Sequence, residues 1–314
     1  MSLNTPADRG PARGAGPHLA LLAVQIFFGT WPFFAKVVLR VMPSTGLVAF
    51  RVAGATLVLL LLQGSPRRLA LARRADYARL ALYSLLGVVL NQFFFVKGLS
   101  LSTVINANLL STLIPVFALV GSLLLGHEVF RARVGLGVLT AAAGAAYLLD
   151  PLNADLSQGT TVGNLLLLAN TLCYGLYIAI SQQMIRRYGA LTVITWVFIF
   201  ANLVTLPVGG YHLRDVSFPG LGRHVWLAVL YIVLVPTVGA YYLNAWALGR
   251  VAPSVVAVYV YLQPLIALAL APYLLGEQVS PRTWVAAALI FAGVALVTAR
   301  GRGGGRAESP AAPG

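Results

Sequence analysis

From His18 to Ala299 the chain is a succession of apolar runs separated by short polar breaks. Most runs are near 20 residues long, the length that crosses a bilayer as an α-helix. Charged residues make up 10% of the 314 residues, against about 25% in a soluble domain. So small a charged complement cannot cover a water-facing surface, and lipid is the solvent for most of the chain. The pattern predicts ten membrane helices, runs 1 to 10, at 18–38, 44–62, 78–97, 103–125, 132–149, 162–184, 190–209, 224–246, 254–275 and 282–299. The first is too long for a cleaved signal peptide and has no clear small-residue cleavage site. Residues 1–17 and 300–314 are rich in Gly, Pro and Arg. They read as disordered cytoplasmic tails, the second basic enough to touch anionic lipid. The expected fold class is therefore an all-α integral membrane protein.

The runs fall into two copies. Leu99 aligns with Leu248, Pro115 with Pro264, Glu128 with Glu277 and Gly144 with Gly293, each pair 149 residues apart. Residues 27–36 lie over 173–182 at a separation of 146. The register reads as a duplicated unit: five runs in 18–149, a periplasmic linker at 150–161, and five runs in 162–299. An odd number of crossings per unit makes the second copy enter from the opposite side. The expectation is two inverted five-helix repeats, the arrangement of many secondary transporters, with a substrate site between the halves near mid-membrane.

With the N-terminus inside, fifteen of the 22 Lys and Arg fall in inner segments and six in outer ones, with Arg51 left inside run 2. That asymmetry places both termini in the cytoplasm, with the cell inner (plasma) membrane as the expected location. The net charge of +14 is thus mostly a topology signal. No folded basic face exists to receive nucleic acid.

Three features carry a family likeness: Pro115–Glu128–Gly144 with its echo Pro264–Glu277–Gly293, Gly29-Thr30-Trp31 in run 1, and Phe50-Arg51 in run 2. By these the chain resembles the drug/metabolite transporter superfamily, specifically its EamA-type ten-helix exporters, over nearly all of 18–299. The resemblance implies a basket of helices around a central cavity lined mainly by runs 1, 3, 4, 6, 8 and 9. It also implies export of amino acids, related metabolites or drugs. Val197 occupies the place in run 7 that Arg51 occupies in run 2, so the halves are not functionally equivalent.

Polar side chains inside these runs are the candidate substrate contacts. In run 6, Asn170, Tyr174, Tyr177 and Ser181 share one helical face. In run 4, Asn108, Ser111 and Thr112 share a face with Pro115. Run 1 adds Gln25 and Trp31, run 3 Asn91 and Gln92, run 8 Tyr241 and Asn244, and run 9 Tyr259, Tyr261 and Gln263. Amides and phenols facing acyl chains are costly, so these groups face inward. They either line a chamber suited to neutral or zwitterionic ligands or serve as interhelical hydrogen bonds. Pro115 and Pro264 each free the carbonyl four residues back and read as hinges or as static kinks. Arg51 is read as structural, with a substrate carboxylate as the alternative partner. Glu128 and Glu277 stand just before runs 5 and 10 and read as structural clasps on the first amides of those helices.

The same residues exclude other chemistry. Cys173 is the single cysteine, which rules out an intramolecular disulfide and a multi-thiolate metal centre. His127-Glu128 begins an HExxH motif, but position 131 is Arg, so the second zinc ligand is missing. No cofactor is expected, and no enzyme activity. No Asp or Glu lies in the middle of any run, so the titratable group that a proton-driven antiporter keeps on its pathway is not evident. The expected function is export of small metabolites, amino acids or similar compounds, by alternating access; the alternatives are multidrug efflux, organic-anion or nucleotide-sugar exchange, and a channel. The expected partners are a small-molecule substrate and the bilayer, with the protein a monomer or homodimer.

Overall fold

The structure is a computed structural model that describes residues 15–124, 132–149, 158–251, 256, 259, 260 and 262–298. Among these residues it is helical, with no strand. The helices are α1 (Gly16–Val38), α2 (Ser44–Gln63), α3 (Arg74–Leu101), α4 (Val104–Ser111), α5 (Ile114–Leu124), α6 (Ala132–Leu149), α7 (Gly159–Tyr188), α8 (Ala190–Leu213), α9 (Arg223–Leu248), α10 (Leu262–Leu275) and α11 (Pro281–Thr298). Seven spans are long and apolar enough to cross a membrane: α1, α2, α3, the α4–α5 span Val104–Gly121, α7, α8 and α9. Leu57, Leu61, Leu203 and Leu227 are exposed on their outer faces, as lipid-facing side chains are in a bilayer.

Helix ends follow local chemistry. Gly64 closes α2 at φ 67°, a left-handed cap open to glycine at little steric cost. Gly189, at φ 83°, turns the chain from α7 into α8 in a single residue. Several helices are longer than their runs predict, since α3, α7 and α9 extend past the apolar stretch into charged ends such as Arg74 and Arg187. Once nucleated, a helix propagates cheaply through polar residues.

Run 4 is corrected. The sequence reading has one helix over 103–125 with Pro115 in its interior, whereas the chain breaks at Thr112 and Leu113. Pro115 sits in the first turn of α5, where its missing N–H would have no helical partner anyway. Pro264 likewise stands in the first turn of α10. Neither proline kinks a continuous helix among the described residues; each opens a new one. The internal prolines are elsewhere, at Pro32, Pro207, Pro236 and Pro272.

Two stretches wind as π-helix, Leu85–Leu90 within α3 and Val233–Gly239 within α9. They occupy corresponding positions at the 149-residue register. Side chains 149 or 146 residues apart also meet. Gln92 Nε2 donates to Tyr241 Oη at 3.1 Å, a separation of 149, and Asn202 Nδ2 donates to Thr56 Oγ1 at a separation of 146. The α6–α11 contact is reciprocal. A Cβ on Gly144 would meet Ile290 and Leu289 within 2.9 Å, and one on Gly293 would strike Ala141 and Gly137. Glycine at both places lets the backbones approach closely.

Candidate functional site

The π stretch in α9 sets the centre of the molecule. The wider turn shifts the helical register by one residue and lets Thr237 Oγ1 donate to the carbonyl of Ile232, five residues back, at 2.6 Å. The same oxygen accepts from Arg51 Nε at 3.0 Å. Arg51 Nη1 donates to Gln92 Oε1 at 2.5 Å, and its guanidinium lies 4.0 Å from the centre of the Trp31 ring. Arg51 is 2% exposed, a full cation in the interior of the bundle. Trp31 itself packs on Phe95 at 4.8 Å.

Hydrogen bonds run outward from Arg51 as far as Asn91, where another arrives from Asn170. Gln92 accepts from the cation and donates to Tyr241. Tyr241 Oη donates to Asn91 Oδ1 at 3.2 Å, and the Asn91 carbonyl accepts from Asn170 Nδ2 at 2.9 Å. Each donor onward polarises the next. An aromatic wall adjoins the chain. Tyr241 meets Tyr174, Phe28 and Phe198 edge-on, Tyr174 stacks on Tyr177 at 5.8 Å, and Asn244 Nδ2 donates to Tyr174 Oη at 3.3 Å. Gly87, in the π stretch of α3, makes room for Tyr177, since a Cβ there would lie 2.6 Å from the ring.

Nine expected residues therefore form one connected group: Trp31, Arg51, Asn91, Gln92, Asn170, Tyr174, Tyr177, Tyr241 and Asn244. Gln25 and Gln263 form a separate buried bridge between α1 and α10 at 2.6 Å. Asn108 and Ser111 turn inward, but their side chains bond the carbonyls of Val104 and Ala107 in their own helix. That local bonding competes with contacts to other groups. Tyr261 and Glu128 lie outside the described residues. Thr237, Gly87 and the rings of Phe28, Phe95 and Phe198 are participants that the sequence reading does not single out.

The two ends of the bundle are tied by carboxylates. At the end bearing the α2–α3 loop, buried Asp76 pairs with Arg187 at 3.3 Å and Arg79 at 3.5 Å and accepts from Tyr188 Oη at 2.5 Å. Tyr188 in turn accepts from the Ala72 amide, and Trp196 donates to the Leu69 carbonyl. At the opposite end, Glu277 accepts from the amides of Val104 at 2.8 Å and Ile105 at 3.1 Å. Thr103 Oγ1 takes the next amide, Asn106, at 3.0 Å, so the first three free donors of α4 are satisfied. This corrects the expectation that Glu277 clasps the helix following it. The carboxylate reaches 172 residues back, to the other copy. Beside it Lys36 Nζ donates to the Ser102 carbonyl, and Ser102 and Asn106 both donate to Asn164 Oδ1.

Known proteins resemble this chain. An uncharacterized transporter of Archaeoglobus fulgidus is 25% identical over 287 residues, covering 90% of this chain and 97% of its own length. The uncharacterized transporter YetK of Bacillus subtilis is 24% identical, over 89% of this chain and 86% of its own. A WAT1-related protein of Arabidopsis thaliana is 25% identical over 69% of this chain and 66% of its own. A solved crystal structure superposes with a TM-score of 0.63 at 21% identity, over 90% of this chain and 97% of that one, which is a likeness of fold. The EamA-like transporter family matches residues 16–149 and again 161–299. A membrane-spanning helical bundle with this double match is a member: the chain belongs to the EamA-like transporter family, within the drug/metabolite transporter superfamily.

Proposed function

We propose that the protein exports small metabolites, amino acids or similar neutral or zwitterionic compounds, from the cytoplasm by alternating access across the cell inner membrane. Ten transmembrane helices form two inverted five-helix repeats, and both termini are cytoplasmic. The observation that carries this reading is the central polar and aromatic group sealed between two carboxylate ties. Asp76 joins the first copy to Arg187 and Tyr188 of the second, and Glu277 of the second copy holds the start of α4 in the first. Each tie bridges the copies at one end only. Releasing one while the other holds opens the centre to a single side, the requirement for carrier behaviour.

The reciprocal packing of Gly144 on Ile290 and Gly293 on Ala141, with Gln92 meeting Tyr241, supports a two-fold relation between the copies. Equivalent residues touch each other where they flank such an axis, and five crossings per copy put the axis in the membrane plane. The test is counterflow in proteoliposomes. Vesicles loaded with unlabelled L-phenylalanine or L-leucine are diluted into labelled solute with no pH or ion gradient. Transient accumulation above equilibrium that saturates with solute is the expected result. Equilibration without overshoot contradicts a carrier, and no entry of either solute contradicts the amino-acid assignment.

A further inference from the structure

Arg51 is a buried charge with no opposite charge beside it among the described residues. Its hydrogen-bond partners are the hydroxyl of Thr237 and the amide of Gln92, and its face is covered by Trp31, all neutral groups. The described carboxylates are Asp76, Asp215 and Glu277. Asp76 is held by Arg79, Arg187 and Tyr188 at one end of the bundle, Glu277 by the α4 amides at the other, and Asp215 lies in the connection after α8. Among the described residues no carboxylate lies within 4.0 Å of Arg51. A buried ion is costly unless it is paired and hydrogen-bonded, and Arg51 has the hydrogen bonds without the counter-charge.

The two hydrogen bonds use two of the five guanidinium N–H donors. With the ring face closed by Trp31, the other donors lie in the guanidinium plane, the direction from which a carboxylate binds in bidentate fashion. The second copy has Val197 at the corresponding position, so the duplication supplies no second cation. The other side of the site is the wall of Tyr241, Tyr174 and Tyr177.

We infer that Arg51 is the counter-ion for the substrate, and that the transported class is a monocarboxylate with an apolar or aromatic body. The inference rests on the transport reading above and redraws its substrate class: a carboxylate is required and an ammonium group is not, so monoanions join the zwitterions while neutral compounds drop out. Diacids and organic phosphates find no second cation at Val197, and amines find a like charge at Arg51.

Four probes of one shape separate these demands: L-phenylalanine, phenylacetate, L-phenylalaninamide and phenethylamine, each used in counterflow with the wild-type protein. Both carboxylates are expected to give overshoot, and the amide and amine rates at least about ten-fold lower, the discrimination of a charge-assisted pair over its absence. Arg51→Gln is expected to erase that preference and Arg51→Lys to keep part of it. Because Arg51→Gln risks misfolding, thermal unfolding of the wild-type protein in detergent supplies a second readout. Phenylacetate is expected to raise the midpoint, and phenylacetamide at equal concentration to leave it unchanged. Overshoot of equal size with all four probes, a preference for carboxylates that survives Arg51→Gln, or equal midpoint shifts would overturn the proposal while leaving the carrier intact. Equilibration of every probe without overshoot overturns the carrier reading itself, and this inference with it; no entry of any probe overturns the substrate class proposed here.

Discussion

Thr237 shows how much one hydroxyl decides. It donates into the π turn and accepts from the cation of α2 with the same oxygen. Thr237→Val keeps the shape and removes both bonds, leaving Arg51 Nε without an acceptor in a site closed to water. The expected loss is about 1.5–3 kcal/mol, the cost of a hydrogen bond to a buried charge, read from equilibrium unfolding in mixed micelles. Thr237→Ser retains the oxygen and is expected to recover most of it; equal losses for Val and Ser would contradict the role given to the hydroxyl. Arg51, Gln92 and Tyr241 were legible in the sequence, because polar groups inside an apolar run have few inward places to go. Thr237 was not. A threonine in a membrane run usually bonds its own helix, and the partner that distinguishes this one is 186 residues away. Gly87 was hidden for the opposite reason: it acts by having no side chain, and only the ring of Tyr177 lying over it reveals this.

At the level of helices, α6 and α11 approach closely through their glycines. Gly293→Ala would drive a methyl into the Ala141 backbone and to within 2.6 Å of the Gly137 carbonyl. Backbone atoms cannot swing aside, so the helices must separate, at an expected cost of about 1–3 kcal/mol. Gly210, exposed near the end of α8, has nothing within 4 Å. Gly210→Ala is expected to be neutral or to stabilise by up to about 1 kcal/mol through helix propensity. Thermal unfolding of the two variants in one detergent checks the pair, and equal shifts would contradict the close packing. The match of Gly144 with Gly293 is legible in the sequence, and so is the importance of the prolines. Their mechanics are not. Composition shows a proline within an apolar run, but the break at Thr112 and Leu113 that precedes it, and the holding of the start of α4 by Glu277, are set by packing between segments distant in sequence. The place of Glu277 before a helix predicts a cap, and only the packing of the copies shows which helix it caps.

Across the whole molecule, the ties at the two ends and the polar centre between them form one device. Both ties are closed in this structure, and the residues of the central group are buried. Alternating access requires the ties to act in opposition, which is the central claim and is open to direct measurement. In a Cys173→Ala background, a cysteine at Asn244 reports access to the centre from each face of the membrane through its rate of reaction with an impermeant thiol reagent. Asp76→Asn, which weakens the tie to Arg187 and Tyr188, is expected to speed labelling only from the face bearing the α2–α3 loop. Glu277→Gln is expected to speed it only from the opposite face. Faster labelling from both faces in either variant would describe a continuous pore, and rates unmoved in both would mean that these carboxylates do not govern access; either result would contradict the mechanism.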